Sequence, residues 1–325
     1  MELGRRALFN LLRMNWEKNP KIDVEPWQVE NYRQHTYKEL FFRLSAFDLH
    51  LDKNAFTVYA ENFDSPEDLT DAFLEETDLP PGEQDQIYLL IFELWRRLLP
   101  EKISLSIFCD ELDHQIQKHD MGKGNEEELQ DTLAHLLVLL DENIDQSEKP
   151  EKLFETVNAS CAQELEAFLY DYIAELFDEE NFSYASELID GFIPYIRKNK
   201  WFDLLHARSL FHTDPEEGFD SIEKLAQKAV KEEDLDFNLE LLSFLIQDGD
   251  QKLFVKIVKK SLPLLEKEED LTELLLLCAD YYNCIDSEDN EHVATQILKS
   301  REHLPHNQKL KPSDKVFEQI KSLIK

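Results

Sequence analysis

Glycine and cysteine are scarce in this chain, and each shortage argues against a class of protein. Only 7 of the 325 residues are glycine, against a usual share of ~7%. We therefore expect neither a turn-rich β architecture nor a glycine-cradled nucleotide site. The four cysteines are spread through a long chain, which is not the pattern of a disulfide framework and predicts a reducing compartment. They are Cys109, Cys161, Cys278 and Cys284.

Long apolar runs are also missing. The longest apolar block lies near Leu133–Leu140, far short of the ~20 residues that a membrane-spanning helix needs. The basic start of the chain, Met1–Arg6, is followed by an apolar stretch that Asn10, Arg13 and Asn15 interrupt, which fits a signal peptide poorly. We therefore predict no transmembrane span and a soluble, cytoplasmic protein.

The negative charge is large and uneven. The net charge is −34, and residues 61–196 carry 35 acidic but only 7 basic side chains. Such a field repels phosphate backbones and attracts basic proteins. We expect no direct nucleic-acid binding and a protein partner with a basic segment. The other interpretation of the charge is that it only keeps the protein in solution.

What is abundant predicts helices. Leu, Glu, Lys and Ala dominate, and these residues lose little side-chain entropy in a helix. Helix starts are indicated at Ser65, Asn125 and Asp214, and one long helix is predicted over Pro26–His50. The predicted fold class is all-α, with a helical region at 1–79, an acidic helical region at 80–146 and a repeat array with a final helix at 147–325. The first two regions are either separate or one domain.

A duplicated pentapeptide sets the register of the array. Lys231–Leu235 and Lys267–Leu271 have the same five letters, 36 residues apart, a period typical of stacked helical hairpins. Aligned on it, first helices are predicted at 200–212, 235–247 and 271–283. Second helices are predicted at 215–231, 250–265 and 289–302, with an earlier one at 182–197, and Pro263 is expected to shorten or bend the helix that contains it.

A family resemblance follows from this register. The 34- and 36-residue steps, with Trp201, Leu204 and Leu205 opening one hairpin, resemble degenerate tetratricopeptide (TPR) repeats over about 165–303. The resemblance implies an α-solenoid whose inner face comes from the first helices. The binding residues that the resemblance implies for that face, carried over by position, are Phe202, His206, Glu233, Asp236, Glu240, Glu269 and Thr272. By the same register, Leu276 and Ala279 lie on this face.

Catalytic motifs are not found. The sequence has no G-x-S-x-G elbow and no Walker or dinucleotide glycine pattern. Glu111 and His114 have the Glu-x-x-His spacing of di-iron bundles, but a chain this acidic produces such spacings by chance. We therefore expect no cofactor, no metal and no enzymatic activity.

Three functions are compatible with these patterns. The first is a non-catalytic adaptor or chaperone-like module that binds a basic protein segment. The second is a charge mimic, in which the acidic region 61–145 occupies a partner's nucleic-acid-binding surface. The third is a helical enzyme or metal protein around Glu111 and His114. The first is preferred because the array supplies a carboxylate-lined face at helical spacing.

Overall fold

The protein is helical throughout the part of the chain that the structure describes. The computed structural model describes residues 3–75, 77–144, 149–197, 199–229, 231–248 and 250–324. Within these ranges the regular structure is eighteen α-helices and two 3-10 helices, with no β-strand. No helix of the described ranges is long and apolar enough to cross a membrane. The predicted all-α class is confirmed.

The helices divide between two compact units. Unit 1 comprises Met1–Tyr172 and Gly191–Arg197, and unit 2 comprises Ile173–Asp190 and Lys198–Lys325. The predicted boundaries after residues 79 and 146 stay predictions.

The first nine helices are α1 (Arg5–Lys18), α2 (Pro26–Val29), α3 (Tyr37–Ser45), α4 (Lys53–Ala60), α5 (Pro66–Leu74), α6 (Pro81–Leu98), α7 (Leu105–Asp120), α8 (Glu126–Glu142) and α9 (Pro150–Ser160). The others are α10 (Leu165–Asp178), α11 (Phe182–Phe192), α12 (Lys200–Thr213), α13 (Pro215–Ala229), α14 (Leu235–Asp248), α15 (Gln251–Ser261), α16 (Glu268–Cys284), α17 (Glu288–Arg301) and α18 (Val316–Leu323).

Helix α6 forms the centre of unit 1. Every residue from Ile87 to Trp95 is buried, as expected for a helix that is covered on all sides. It packs against α3, α4 and α5. The only charged residue in that run, Glu93, is paired with Arg96 and Arg97 in the following turn. Burial of this carboxylate is therefore compensated within its own helix.

The predicted long helix over Pro26–His50 is wrong. The chain forms α2, a 3-10 helix at Tyr32–Gln34 and then α3. The break has a local cause, because Thr36 starts a new helix with a capping box. The Glu39 amide donates to the Thr36 hydroxyl at 3.3 Å, and the Thr36 amide donates to the Glu39 carboxylate at 2.7 Å. These bonds satisfy amides that an uninterrupted helix would have used internally.

Unit 2 contains consecutive helices that pack in pairs. Helix α12 packs against α13, α14 against α15, and α16 against α17, while α14 also contacts α12 and α16. The predicted first helices correspond to α12, α14 and α16, and the predicted second helices to α13, α15 and α17. As expected, Pro263 shortens one of them: α15 ends at Ser261 and continues as a 3-10 helix at Leu262–Leu264.

The two copies of the pentapeptide have different structures, although their sequences are identical. In the first copy Asp234 precedes α14 and accepts from the Phe237 amide at 3.0 Å. In the second copy α16 already begins at Glu268. The difference comes from the segment 306–310, whose carbonyls accept from the amides of Glu268 at 2.9 Å and Glu269 at 3.0 Å. The first amides of a helix have no acceptor within the helix, and here the carbonyls of this segment accept from them. Helix α16 can therefore begin earlier than α14 does relative to the pentapeptide.

Candidate binding surface

The residues predicted for the binding face have unequal exposure. Phe202 is only 3% exposed, so its ring is not on the surface. Helix α12 buries residues on more than one side, Phe202, Leu204 and Ala207 among them, and the face that the register selects is therefore covered at Phe202. His206 is half-buried on the same helix.

Glu233 and Thr272 also contribute less than the register implies. Glu233 is exposed, but it lies in the turn before α14 rather than on the helix. Thr272 is half-buried, and its hydroxyl donates to the Glu268 carbonyl at 2.8 Å. This bond uses the hydroxyl hydrogen within α16, so Thr272 has no hydroxyl proton left to donate to a ligand.

The remaining predicted residues form a cluster with two more carboxylates. We call this cluster the acidic face; it consists of Asp236, Glu240, Glu269, Asp270 and Glu273. Helices α14 and α16, which carry these residues, pack against each other. Glu273 is an exposed residue, but its carboxyl is in part shielded from water. This partial burial, followed by the other four carboxylates, raises the pKa of Glu273. Each of them is therefore close enough to Glu273 to disfavour its charged form.

One lysine partly neutralises the acidic face. The Lys267 ammonium lies 2.7 Å from a Glu269 carboxylate oxygen and 3.9 Å from one of Asp270. Asp270 also accepts from the backbone amides of Glu266 and Lys267, at 2.9 and 3.0 Å. Asp270 therefore has a structural role at the start of α16.

An exposed leucine lies beside the acidic face. Leu276 is 50% exposed and follows Glu273 by three residues on α16, a spacing that places both on one side of the helix. Ala279 is half-buried one turn further on. The surface thus combines several carboxylates with an apolar side chain, the combination that suits a basic segment with an apolar residue.

Glu111 and His114, the candidate metal ligands, lie in a different environment. A Glu111 oxygen accepts from Arg33 at 2.8 Å, and the other accepts from Gln115 at 2.9 Å. Burial and the neighbouring Arg33 lower the pKa of His114 to about 4. Among the residues with described positions, no group of three or more His, Cys, Asp or Glu side chains is arranged to hold a metal ion.

Glu111 belongs instead to a buried ion-pair network of unit 1. Asp110 pairs with Arg6 and with Arg33, both at 2.6 Å, and accepts from Asn10 at 3.0 Å. Burial alone would raise the pKa of Asp110, but the two guanidinium groups and Asn10 outweigh it and hold that pKa well below its usual range. The Asp110 carboxylate is therefore used inside the fold, with its side chain 2% exposed.

Sequence reasoning missed Asp270 and Glu273. Glu273 follows Glu269 by four residues on a helix that was correctly predicted, so the i, i+4 spacing indicates that both lie on one side. The proximity of Asp236 and Glu240 on another helix is a tertiary contact that spacing alone does not reveal. Comparisons of the whole chain with protein-family models, with curated proteins and with solved structures find no significant match.

Proposed function

We propose that this protein is a non-catalytic interaction module that binds a basic segment of a protein partner on the acidic face. In this proposal the helical pairs of unit 2 form a TPR-like array, and α14 and α16 present its ligand-binding side. Lys or Arg side chains of the partner pair with Asp236, Glu240 and Glu273, and an apolar side chain of the partner packs against Leu276.

The convergence of five carboxylates from the packed helices α14 and α16 is the observation that carries this proposal. Partial burial first, and then the four other carboxylates, raise the pKa of Glu273, so the cluster costs folding energy at neutral pH. A cationic ligand would relieve this repulsion on binding, because opposite charge favours the ionised carboxylates. Stability that is lost to a functional arrangement of charge is a common feature of binding sites.

The experiment compares two variants of equal charge change. Asp236→Asn, Glu240→Gln and Glu273→Gln together neutralise the acidic face. The control variant neutralises three exposed acids at helical spacing on α13, namely Glu216, Asp220 and Glu223. Each variant and the wild type is used for affinity purification from native lysate at low and at high salt, and retained proteins are identified and quantified.

We expect the wild type and the control variant to retain the same basic, salt-released protein. The acidic-face variant is expected to lose about tenfold in affinity, since three partly exposed ion pairs contribute ~0.5 kcal/mol each. If the acidic-face variant retains that partner as well as the control does, these carboxylates only solvate the surface and the proposal is wrong.

A further inference from the structure

Two buried thiols of unit 1 lie side by side. Cys109 is on α7, Cys161 directly follows α9, and the two helices pack against each other. The side chains are 0% and 1% exposed. The neighbouring Cys109 side chain, followed by burial, raises the pKa of the Cys161 thiol. The Cys109 thiol donates to the Val157 carbonyl oxygen at 3.8 Å, four residues before Cys161. Two thiols on segments that pack together need little backbone movement to reach the geometry of a disulfide.

A second contact holds the same two segments in register. Asp113 lies one turn after Cys109 on α7, and its carboxylate accepts from the amide of Ala162 at 2.9 Å and from that of Gln163 at 3.0 Å. These amides directly follow Cys161. The carboxylate therefore fixes the backbone beside Cys161 against the helix that carries Cys109, which keeps the two sulfurs together.

We propose that Cys109 and Cys161 form a reversible disulfide when the protein meets a peroxide. The route to the pair is short, because the turn at 162–163 is only half-buried and Glu164 is exposed. A local opening of this turn would bring a molecule the size of hydrogen peroxide to the sulfurs. The inference is independent of the acidic face, which is in unit 2.

The chemistry balances with one peroxide molecule. The balance is the same whichever thiol reacts first, and in one order Cys109 is oxidised before Cys161. The Cys109 sulfur attacks peroxide, the O–O bond breaks, one water leaves and a sulfenic acid forms. The Cys161 sulfur then displaces the sulfenyl oxygen as a second water, and the S–S bond forms. Two thiol protons and two electrons have passed to the peroxide.

The test uses the full-length protein with Cys284→Ser, which removes the exposed thiol. The protein is treated with a small excess of hydrogen peroxide, quenched, unfolded in denaturant, alkylated, digested and analysed by mass spectrometry. Cys278, which is also 0% exposed and lies in unit 2, serves as the internal control for non-specific oxidation of a buried thiol.

We expect Cys109 and Cys161 to become resistant to alkylation together, in one cross-linked peptide pair that is about 2 Da lighter than its two reduced peptides. Cys278 should remain alkylated, and dithiothreitol should restore both thiols. With Cys161→Ser, no such cross-link can form, and Cys109 should stop at an oxygenated state. Continued alkylation of both cysteines, or sulfinic acid on Cys109 while Cys161 is present, would overturn the proposal.

Discussion

Arg5 and Arg6 are neighbours on α1 and make ion pairs that differ chiefly in burial. Arg5 pairs with Asp85 and Arg6 with Asp110, each with a nitrogen–oxygen distance of 2.6 Å. The guanidinium of Arg5 stacks over Tyr88 at 4.4 Å and that of Arg6 over Phe92 at 4.8 Å. The Arg5 pair is 31% and 32% exposed, and the Arg6 pair is 7% and 2% exposed.

This contrast predicts very different costs for the same substitution. Arg6→Met removes one of the two guanidinium partners of the buried Asp110 and leaves Arg33, so it should cost somewhat less than the ~3–5 kcal/mol of a buried charge that loses its only partner. Arg5→Met exposes Asp85 to water instead, so its cost should be ~0.2–1 kcal/mol. With a urea dependence of ~2 kcal/mol per molar, the midpoint of unfolding should fall by roughly 1 to 1.5 M for Arg6→Met and by less than ~0.5 M for Arg5→Met.

Urea unfolding followed by tryptophan fluorescence measures both. A Trp201→Phe background removes the tryptophan of unit 2, so that the signal comes from unit 1, where Trp95 is fully buried. Added salt should reduce the effect of Arg5→Met and leave that of Arg6→Met nearly unchanged. Equal midpoints for the two variants would refute the reasoning that burial decides the strength of these pairs.

Three further predictions concern single residues. Burial raises the pKa of Asp113 to about 6 from 3.8, so the ionised form is disfavoured in the fold and up to ~3 kcal/mol of stability is lost as pH rises from about 4 through 6; Asp113→Asn should remove this pH dependence in urea titrations at each pH, and an unchanged pH dependence would contradict it. Glu273→Gln should stabilise unit 2 by roughly 0.5 kcal/mol at pH 7, because it removes the like-charge pair with Glu269, four residues earlier on α16; the gain should vanish below pH 4, and a loss of stability at pH 7 would contradict it. Arg301→Met should lower the free energy of unfolding of unit 2 by ~3 kcal/mol, because it removes the guanidinium that pairs with the Glu268 side chain, which is 4% exposed. Unfolding is followed by the fluorescence of Trp201. The control is Lys321→Met, which breaks an exposed pair and should change stability by less than ~0.5 kcal/mol.

Local signals in the sequence were sufficient to predict most helices. Ser65 and Asn125 accept from the amides of Asp68 and Glu127, as helix caps should. The same chemistry also explains the missed break after Pro26, since Thr36 and Glu39 have the spacing of a capping box. Capping residues inside an apolar pattern therefore carry as much information as the pattern itself.

Contacts between distant segments could not be predicted in this way. The start of α16 depends on carbonyls of residues 306–308, and the pair of Arg6 with Asp110 joins residues 104 apart. Asp236 and Glu240 lie on α14 and Glu269 lies on α16, whereas Phe202, which the same register selected, is buried. Spacing identifies a face of a helix, whereas tertiary packing decides whether that face is covered.

Hydrogen exchange of the full-length protein, with and without its purified partner, tests the central claim most directly. The proposal predicts slower exchange in α14 and in the first half of α16, around Asp236, Glu240 and Glu273, and loss of this protection at high salt. Residues 216–223 of α13, which carry the control acids, should exchange as in the free protein. Protection confined to unit 1, or protection of α14 and α16 that salt does not weaken, would contradict a basic segment bound on the acidic face.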